Sequence, residues 1–198
     1  MSPRVDEIDM PSLERLQEEC AWFRGSHSVG RGLERMISAE VDLQAFAWQE
    51  GQAQPTIRQG SWKLQILLAR GMAVQPLVRF LPDAEGYLPV SGNISDWEVG
   101  RGLRNFGEII PGLVCYCDHW NPQRTLAWVA HQVARIAVGE VLNLEARPLS
   151  ARGRDFQAAA LGQGKLPTQA ISAPSPAILY LQTSGEGPAR GEIEFHDA

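Results

Sequence analysis

Three side chains that can bind metals or act as nucleophiles stand at alternate positions of one short stretch: Cys115, Cys117 and His119. Alternate residues of an extended strand point to the same side, so the two thiols and the imidazole would share one face. A second histidine, His131, follows in a predicted helix. Two thiolates and two imidazoles are a ligand set that zinc takes in tetrahedral sites, so one interpretation of this stretch is a metal centre.

The spacing of these residues argues against that metal centre. Alternate residues of a strand lie about 7 Å apart, which is awkward for ligands of one ion. His131 also lies more than two helical turns beyond the predicted start of its helix at Pro122. The other interpretation is that Cys115 and Cys117 pack in the core. No cofactor is therefore expected.

The same stretch offers a nucleophile, with Cys117 or Cys115 as the attacking thiol, His119 or His131 as its base and Asp118 orienting the base. A catalytic thiol usually sits at a helix N-terminus, where the helix dipole lowers its pKa. In this chain the predicted cap position is occupied by Asn121 instead. Enzymatic activity is left open, and the balance of the residues is against it.

The pentapeptide VGRGL occurs twice, at residues 29–33 and 99–103. Both copies are predicted to open a helix, where free amide groups together with Arg31 or Arg101 would attract an anion. The alternative is that the glycines only allow close helix packing. The repeat therefore predicts a weak anion-binding site.

The chain has six tryptophans, many for its length. Tryptophan is enriched at protein interfaces, because its ring buries a large area while its N–H group finds a partner. Phe46 and Trp48 alternate with small apolar residues in a predicted strand and are expected on its exposed face. Trp97 and Trp120 stand beside predicted helix starts. These four aromatic residues are the predicted protein interface.

Periodicity predicts the elements that position these residues. Helices are expected over residues 11–23, 29–38, 95–106 and 122–138, and residues 40–81 alternate like an antiparallel meander. The expected fold class is α+β, with an antiparallel or mixed sheet and about four helices packed on it. Residues 1–10 are expected to form an extended arm, and 11–198 a single globular domain.

Composition limits the classes of partner. The 198 residues are 44% hydrophobic and carry a formal net charge of −5, which argues against a nucleic-acid partner. No apolar run approaches the roughly 18 to 20 residues of a membrane helix, and the polar N-terminus does not look like a signal peptide. The expected location is the cytoplasm, or a virion assembled in it.

The functional expectation from the sequence is a non-catalytic structural or adaptor subunit of a larger assembly, such as a phage virion or tail component. Its partners would be other protein subunits in a homo- or hetero-oligomer. The extended arm, the long Gly/Pro loops and the tryptophans favour this class. The alternative is a metal-binding protein or hydrolase centred on Cys115, Cys117, His119 and His131.

Overall fold

The fold is described by a computed structural model that covers residues 5–31, 34–97, 111–144 and 148–181. Four helices and five strands occur in these ranges. In chain order they are α1 (Val5–Glu19), β1 (Phe23–Arg31), β2 (Glu34–Gln49), β3 (Thr56–Leu68), β4 (Leu77–Leu81), β5 (Tyr87–Pro89), α2 (Leu126–Val138), α3 (Ala151–Gly162) and α4 (Pro176–Leu179).

One antiparallel sheet contains all five strands. The strands β1 to β4 lie side by side in the order in which they occur in the chain. β5 pairs with the C-terminal end of β2, where β1 is no longer paired with it. The chain therefore has a single-sheet α+β fold, and the predicted meander over residues 40–81 is confirmed. Pro76 lies just before β4, where it removes no donor from the sheet.

The inner face of the sheet is apolar, because every second residue of β2 and β3 is buried. In β2 these residues are Ile37, Ala39, Val41, Leu43, Ala45 and Ala47, and in β3 they are Trp62, Leu64, Ile66 and Leu68. All of them except Ala45 belong to a hydrophobic cluster that also contains Leu13 of α1, Val133 of α2 and Ile178 of α4. The sequence alternation thus identified this face correctly.

The best-defined helix is α2. Thr125 caps it, since its hydroxyl accepts a hydrogen bond from the Trp128 amide at 3.2 Å. Gly139 ends it in the left-handed conformation with φ of 84°, and a Cβ there would lie 2.6 Å from Leu166 Cδ2. The predicted helix over 122–138 is confirmed, but it begins four residues later because Thr125 is the cap and not Asn121.

The predicted helix over 29–38 is wrong. Residues up to Arg31 belong to β1, and those from Glu34 belong to β2. Leu33, Met36 and Ile37 have helical spacing, but the alternation of the meander runs back through Ile37. Gly30, at φ of 114°, adopts a conformation that no helix contains.

Other predicted boundaries also differ from the structure. The first helix ends at Glu19, and Phe23, which was predicted as its last residue, begins β1. α1 begins at Val5, so residues 5–10 are helical where an extended arm was expected. In the region of the helix predicted over 95–106, the described residues 95–97 are not helical, and the Ser95 hydroxyl accepts from the Leu113 amide at 2.8 Å. Residues 98–106 lie outside the described ranges.

The outer face of the sheet carries an apolar row that runs across four strands. Val29 pairs with Met36, Met36 with Leu67, and Leu67 with Leu77. Val29, Leu67 and Leu77 are 58%, 46% and 52% exposed. The next row along the strands is polar, with His27, Ser38, Gln65 and Arg79 in register.

Candidate functional site

The segment that carries the two neighbouring cysteines is extended and firmly held, although it forms only isolated bridges in place of the strand expected there. The amide of Cys115 donates to the Asn93 carbonyl, and the Asn93 side chain donates to the Cys115 carbonyl, both at 2.8 Å. The buried Tyr116 hydroxyl donates to the Pro76 carbonyl at 2.6 Å. The segment is thus tied to the turn before β4.

Burial makes the two thiols poor nucleophiles. It raises the pKa of Cys115, and the nearby Asp118 carboxylate raises it further. Burial also raises the pKa of Cys117, although Arg124 partly opposes the change. Both thiols are therefore protonated at neutral pH, whereas nucleophilic attack needs the thiolate.

The histidines do not complete a centre with these thiols. His131 stacks on Trp22 with ring centres 6.1 Å apart, and burial lowers its pKa. Among the described residues, no three His, Cys, Asp or Glu side chains are grouped so that they could hold a metal ion. The geometry gives no support to a site made of Cys115, Cys117, His119 and His131.

Trp120 is fixed in an aromatic cluster at the start of α2. Its indole N–H donates to the Met72 carbonyl at 2.8 Å, and its ring meets Trp128 edge-on at 6.5 Å. The Arg124 guanidinium lies 3.9 Å from the centre of the Trp128 ring and donates to the His119 carbonyl at 2.9 Å. These contacts brace the loop, and an interface role for Trp120 remains a prediction.

The helix start on which the predicted anion site depends is not formed at the first repeat. Arg31 ends strand β1, so no helix N-terminus lies beside it. Arg101, in the second repeat, lies outside the described residues.

A groove is lined by residues of α3 and of the far ends of β2 and β3. Phe46 and Trp48 form its floor and are only 5% and 6% exposed. They do point to the outer face, as the alternation predicted, but there Phe46 meets the Phe156 ring of α3 and Trp48 meets the Arg152 guanidinium. The expectation that they are exposed is therefore wrong, because both faces of residues 45–48 are buried.

Aromatic contacts join the floor of the groove to α3. The Phe46 and Phe156 rings meet edge-on with centres 4.8 Å apart. The Arg152 guanidinium lies 3.9 Å from the centre of the Trp48 ring. Ile57, the cross-strand partner of Phe46, stands 49% exposed at the side. The groove encloses about 630 Å³, a size typical of binding pockets.

A smaller cavity of about 430 Å³ lies on the other side of Trp48 and Arg152, and Trp97 lines it. Among the described residues, the buried Trp97 indole N–H finds no hydrogen-bond acceptor. Of the aromatic residues predicted as an interface, Phe46 and Trp48 thus line the groove, and Trp97 lines the smaller cavity. The sequence did not indicate Phe156 or Lys165, which complete the groove, because nothing in the chain's periodicity places α3 over β2.

Comparisons with known proteins give one functional clue. The chain is 28% identical over 181 residues to the hydrogenase expression/formation protein HoxQ of Azotobacter vinelandii. The match covers 80% of this chain but 58% of HoxQ, so the chain spans little more than half the length of this curated relative. No protein-family model matches the chain, and no solved structure matches it.

This similarity corrects the functional expectation from the sequence. A structural subunit of a phage virion or tail is not supported, because the matching protein is named for hydrogenase expression and formation. The alternative centred on Cys115 and Cys117 is not supported either. In the described part of the chain, no helix is long and apolar enough to cross a membrane.

Proposed function

We propose that this chain takes part in the formation of a hydrogenase by binding another protein of that process. The observation that carries the proposal is the similarity to HoxQ, which extends over most of the chain. Proteins that assist the formation of an enzyme act on other polypeptides, so a protein-binding surface is the feature to look for. The partner in this proposal is a hydrogenase polypeptide, and the complex is a hetero-oligomer.

The arrangement of apolar surface supports binding of a protein. We infer that α1 and α2 cover the inner face of the sheet, since residues of all three belong to one hydrophobic cluster. The outer face is then left for partners, and α3 shapes one end of it into the groove. Aromatic residues in a preformed depression are the usual centres of binding energy at protein interfaces.

The test is genetic complementation in Azotobacter vinelandii cells that lack HoxQ. Two forms are expressed: this chain alone, and HoxQ whose matched stretch is replaced by the corresponding residues of this chain. We expect at least the second form to restore hydrogen uptake by cell extracts above the level of the deletion strain. HoxQ itself serves as the positive control.

Immunoblots establish that each form accumulates to the level of HoxQ. If both forms accumulate and hydrogen uptake stays at the level of the deletion strain, the proposed function is wrong. If the chimera works and the chain alone does not, the proposal holds, and the remaining part of HoxQ supplies a function that this chain lacks.

A further inference from the structure

The groove between α3 and the far end of β2 combines an apolar floor with a cationic rim. Three ionisable residues line it: Arg152, Asp155 and Lys165. The Asp155 carboxylate accepts from both Nε and Nη2 of Arg154, at 2.8 and 2.7 Å. With Asp155 paired to Arg154, Lys165 leaves the described lining of the groove positive on balance, although the whole chain carries a net charge of −5.

The chain has two lysines, Lys63 and Lys165, and their surroundings differ. Lys63 lies opposite Glu40 on the outer face of the sheet, which offers it an opposite charge. Lys165 lies at the groove instead. A positive mouth on an acidic protein favours the approach of a negatively charged ligand.

The floor of the groove is held in place before any ligand arrives. The Trp48 indole N–H donates to the Gln52 carbonyl at 2.8 Å, and Arg152 lies on the ring. Phe46 is fixed between its cross-strand partner Ile57 and the Phe156 ring. A preformed floor lowers the entropy cost of ordering side chains on binding.

We propose that this groove binds a segment of a hydrogenase polypeptide in which apolar side chains stand next to Asp or Glu. The apolar side chains would lie on Phe46, Trp48 and Phe156, and the carboxylates would meet Lys165. This inference rests on the proposed function and names the chemistry of its partner.

The dimensions of the groove favour such a segment over a second copy of this chain. A stable interface uses about 20 to 30 residues on each side and buries about 800 Å² per partner. Fewer residues than this line the groove. Its volume of about 630 Å³ suits a few side chains of one segment.

The experiment begins with an array of short overlapping peptides that cover the hydrogenase polypeptides of Azotobacter vinelandii, probed with the full chain. We expect the bound peptides to be those with Leu, Ile, Met or Phe beside Asp or Glu. The strongest of them is then labelled with a fluorophore and its affinity is measured by fluorescence anisotropy.

Variants of the chain locate the binding site. Phe156→Ala is expected to weaken binding by about tenfold or more, as for an aromatic anchor. Lys165→Glu is expected to weaken it several-fold at low salt, with a smaller effect at high salt because exposed charges are screened. Changing the peptide's Asp and Glu to Asn and Gln should reproduce the Lys165→Glu effect.

Matched controls are present in the chain. Leu161 lies on the same helix as Phe156 and is 45% exposed, but it does not line the groove, so Leu161→Ala should leave the affinity unchanged. Lys63→Glu makes the same charge change as Lys165→Glu at a distant surface and should also leave it unchanged. Circular dichroism spectra show whether Phe156→Ala is folded, and Lys165→Glu tests the site independently.

Three results would overturn the inference. The first is a peptide that binds Phe156→Ala and Lys165→Glu as tightly as the unchanged chain. The second is a dimer, seen by native mass spectrometry, that these substitutions dissociate. The third is a HoxQ chimera that restores hydrogen uptake equally with and without both substitutions, because the proposed function would then stand while the groove is not its binding site.

Discussion

Cys115, Cys117 and His131 share partial burial, and burial pushes all three toward the uncharged form. It raises the pKa of the two thiols and lowers the pKa of the imidazole, because removing water disfavours the charged state of each group. Uncharged thiols and imidazoles pack like small apolar groups. The surroundings of the two thiols and the imidazole thus account for the residue types that first suggested chemistry. The cationic side chains at the groove are more exposed than these three groups.

The lowered pKa of His131 gives the fold a pH dependence. Its causes are burial first and then Arg135, with Glu140 acting in the opposite direction. In the pH range between the lowered folded value and the ordinary value near 6.5, the unfolded state binds more protons than the folded state. Stability should therefore fall as the pH drops below about 6.5. Urea unfolding at a series of pH values measures this.

The variant His131→Phe isolates the contribution of this imidazole. Phenylalanine keeps a ring beside Trp22 and cannot be protonated. We expect the variant to lose stability less steeply on acidification, by at most the effect of one proton, about 1.4 kcal/mol per pH unit. An unchanged slope, in a variant with the near-UV spectrum of the original chain, would show that His131 is not responsible.

At the scale of elements, the sequence predicted those that depend on local patterns. Alternation identified β2, β3 and β4, because one face of each strand is buried and the other is not. A run of apolar residues at helical spacing and Gly139 identified α2. Helical spacing over 29–38 failed because the same residues also fit the extension of β2, and only pairing with β1 and β3 decides between the two.

The groove could not be predicted from local patterns. Phe46 and Phe156 are more than 100 positions apart, and the contact between their rings depends on where α3 crosses the sheet. The sequence indicated Phe46 and Trp48 as contact residues from their alternation. It could not show that a helix would cover them and leave a depression in place of an exposed strand face.

The alternation of β3 predicts that shortening Leu64 and shortening Leu67 affect the free energy of unfolding by very different amounts. Leu64 points to the core and is fully buried, whereas Leu67 lies in the exposed row on the outer face. Leu64→Ala should lower the free energy of unfolding by about 2 to 5 kcal/mol, through lost burial and the cavity left behind. Leu67→Ala should change it by no more than about 0.5 kcal/mol.

Urea denaturation of both variants measures these changes, and each leucine serves as the control for the other. A large loss for Leu67→Ala would mean that the outer row is covered by another part of the chain. Equal small losses would mean that the inner face of β3 is not the core.

At the scale of the whole molecule, the last described segment is tied to the first elements of the chain. The Trp22 indole N–H donates to the Ser172 carbonyl at 3.0 Å, and the Ser175 amide donates to a Glu19 carboxylate oxygen at 2.7 Å. The Thr168 hydroxyl, between these points and α3, bonds to the Gln44 carbonyl of β2. Such bonds join segments that are more than 120 residues apart in sequence.

These long-range ties, together with a hydrophobic cluster that runs from Leu13 to Ile178, lead us to expect one cooperative unit. Tryptophan fluorescence and far-UV circular dichroism should then show the same midpoint in urea. Because tryptophans lie both near α1 and β1 and in α2, the fluorescence reports on distant parts of the fold. Two separate midpoints would show that the described part of the chain is not one cooperative unit.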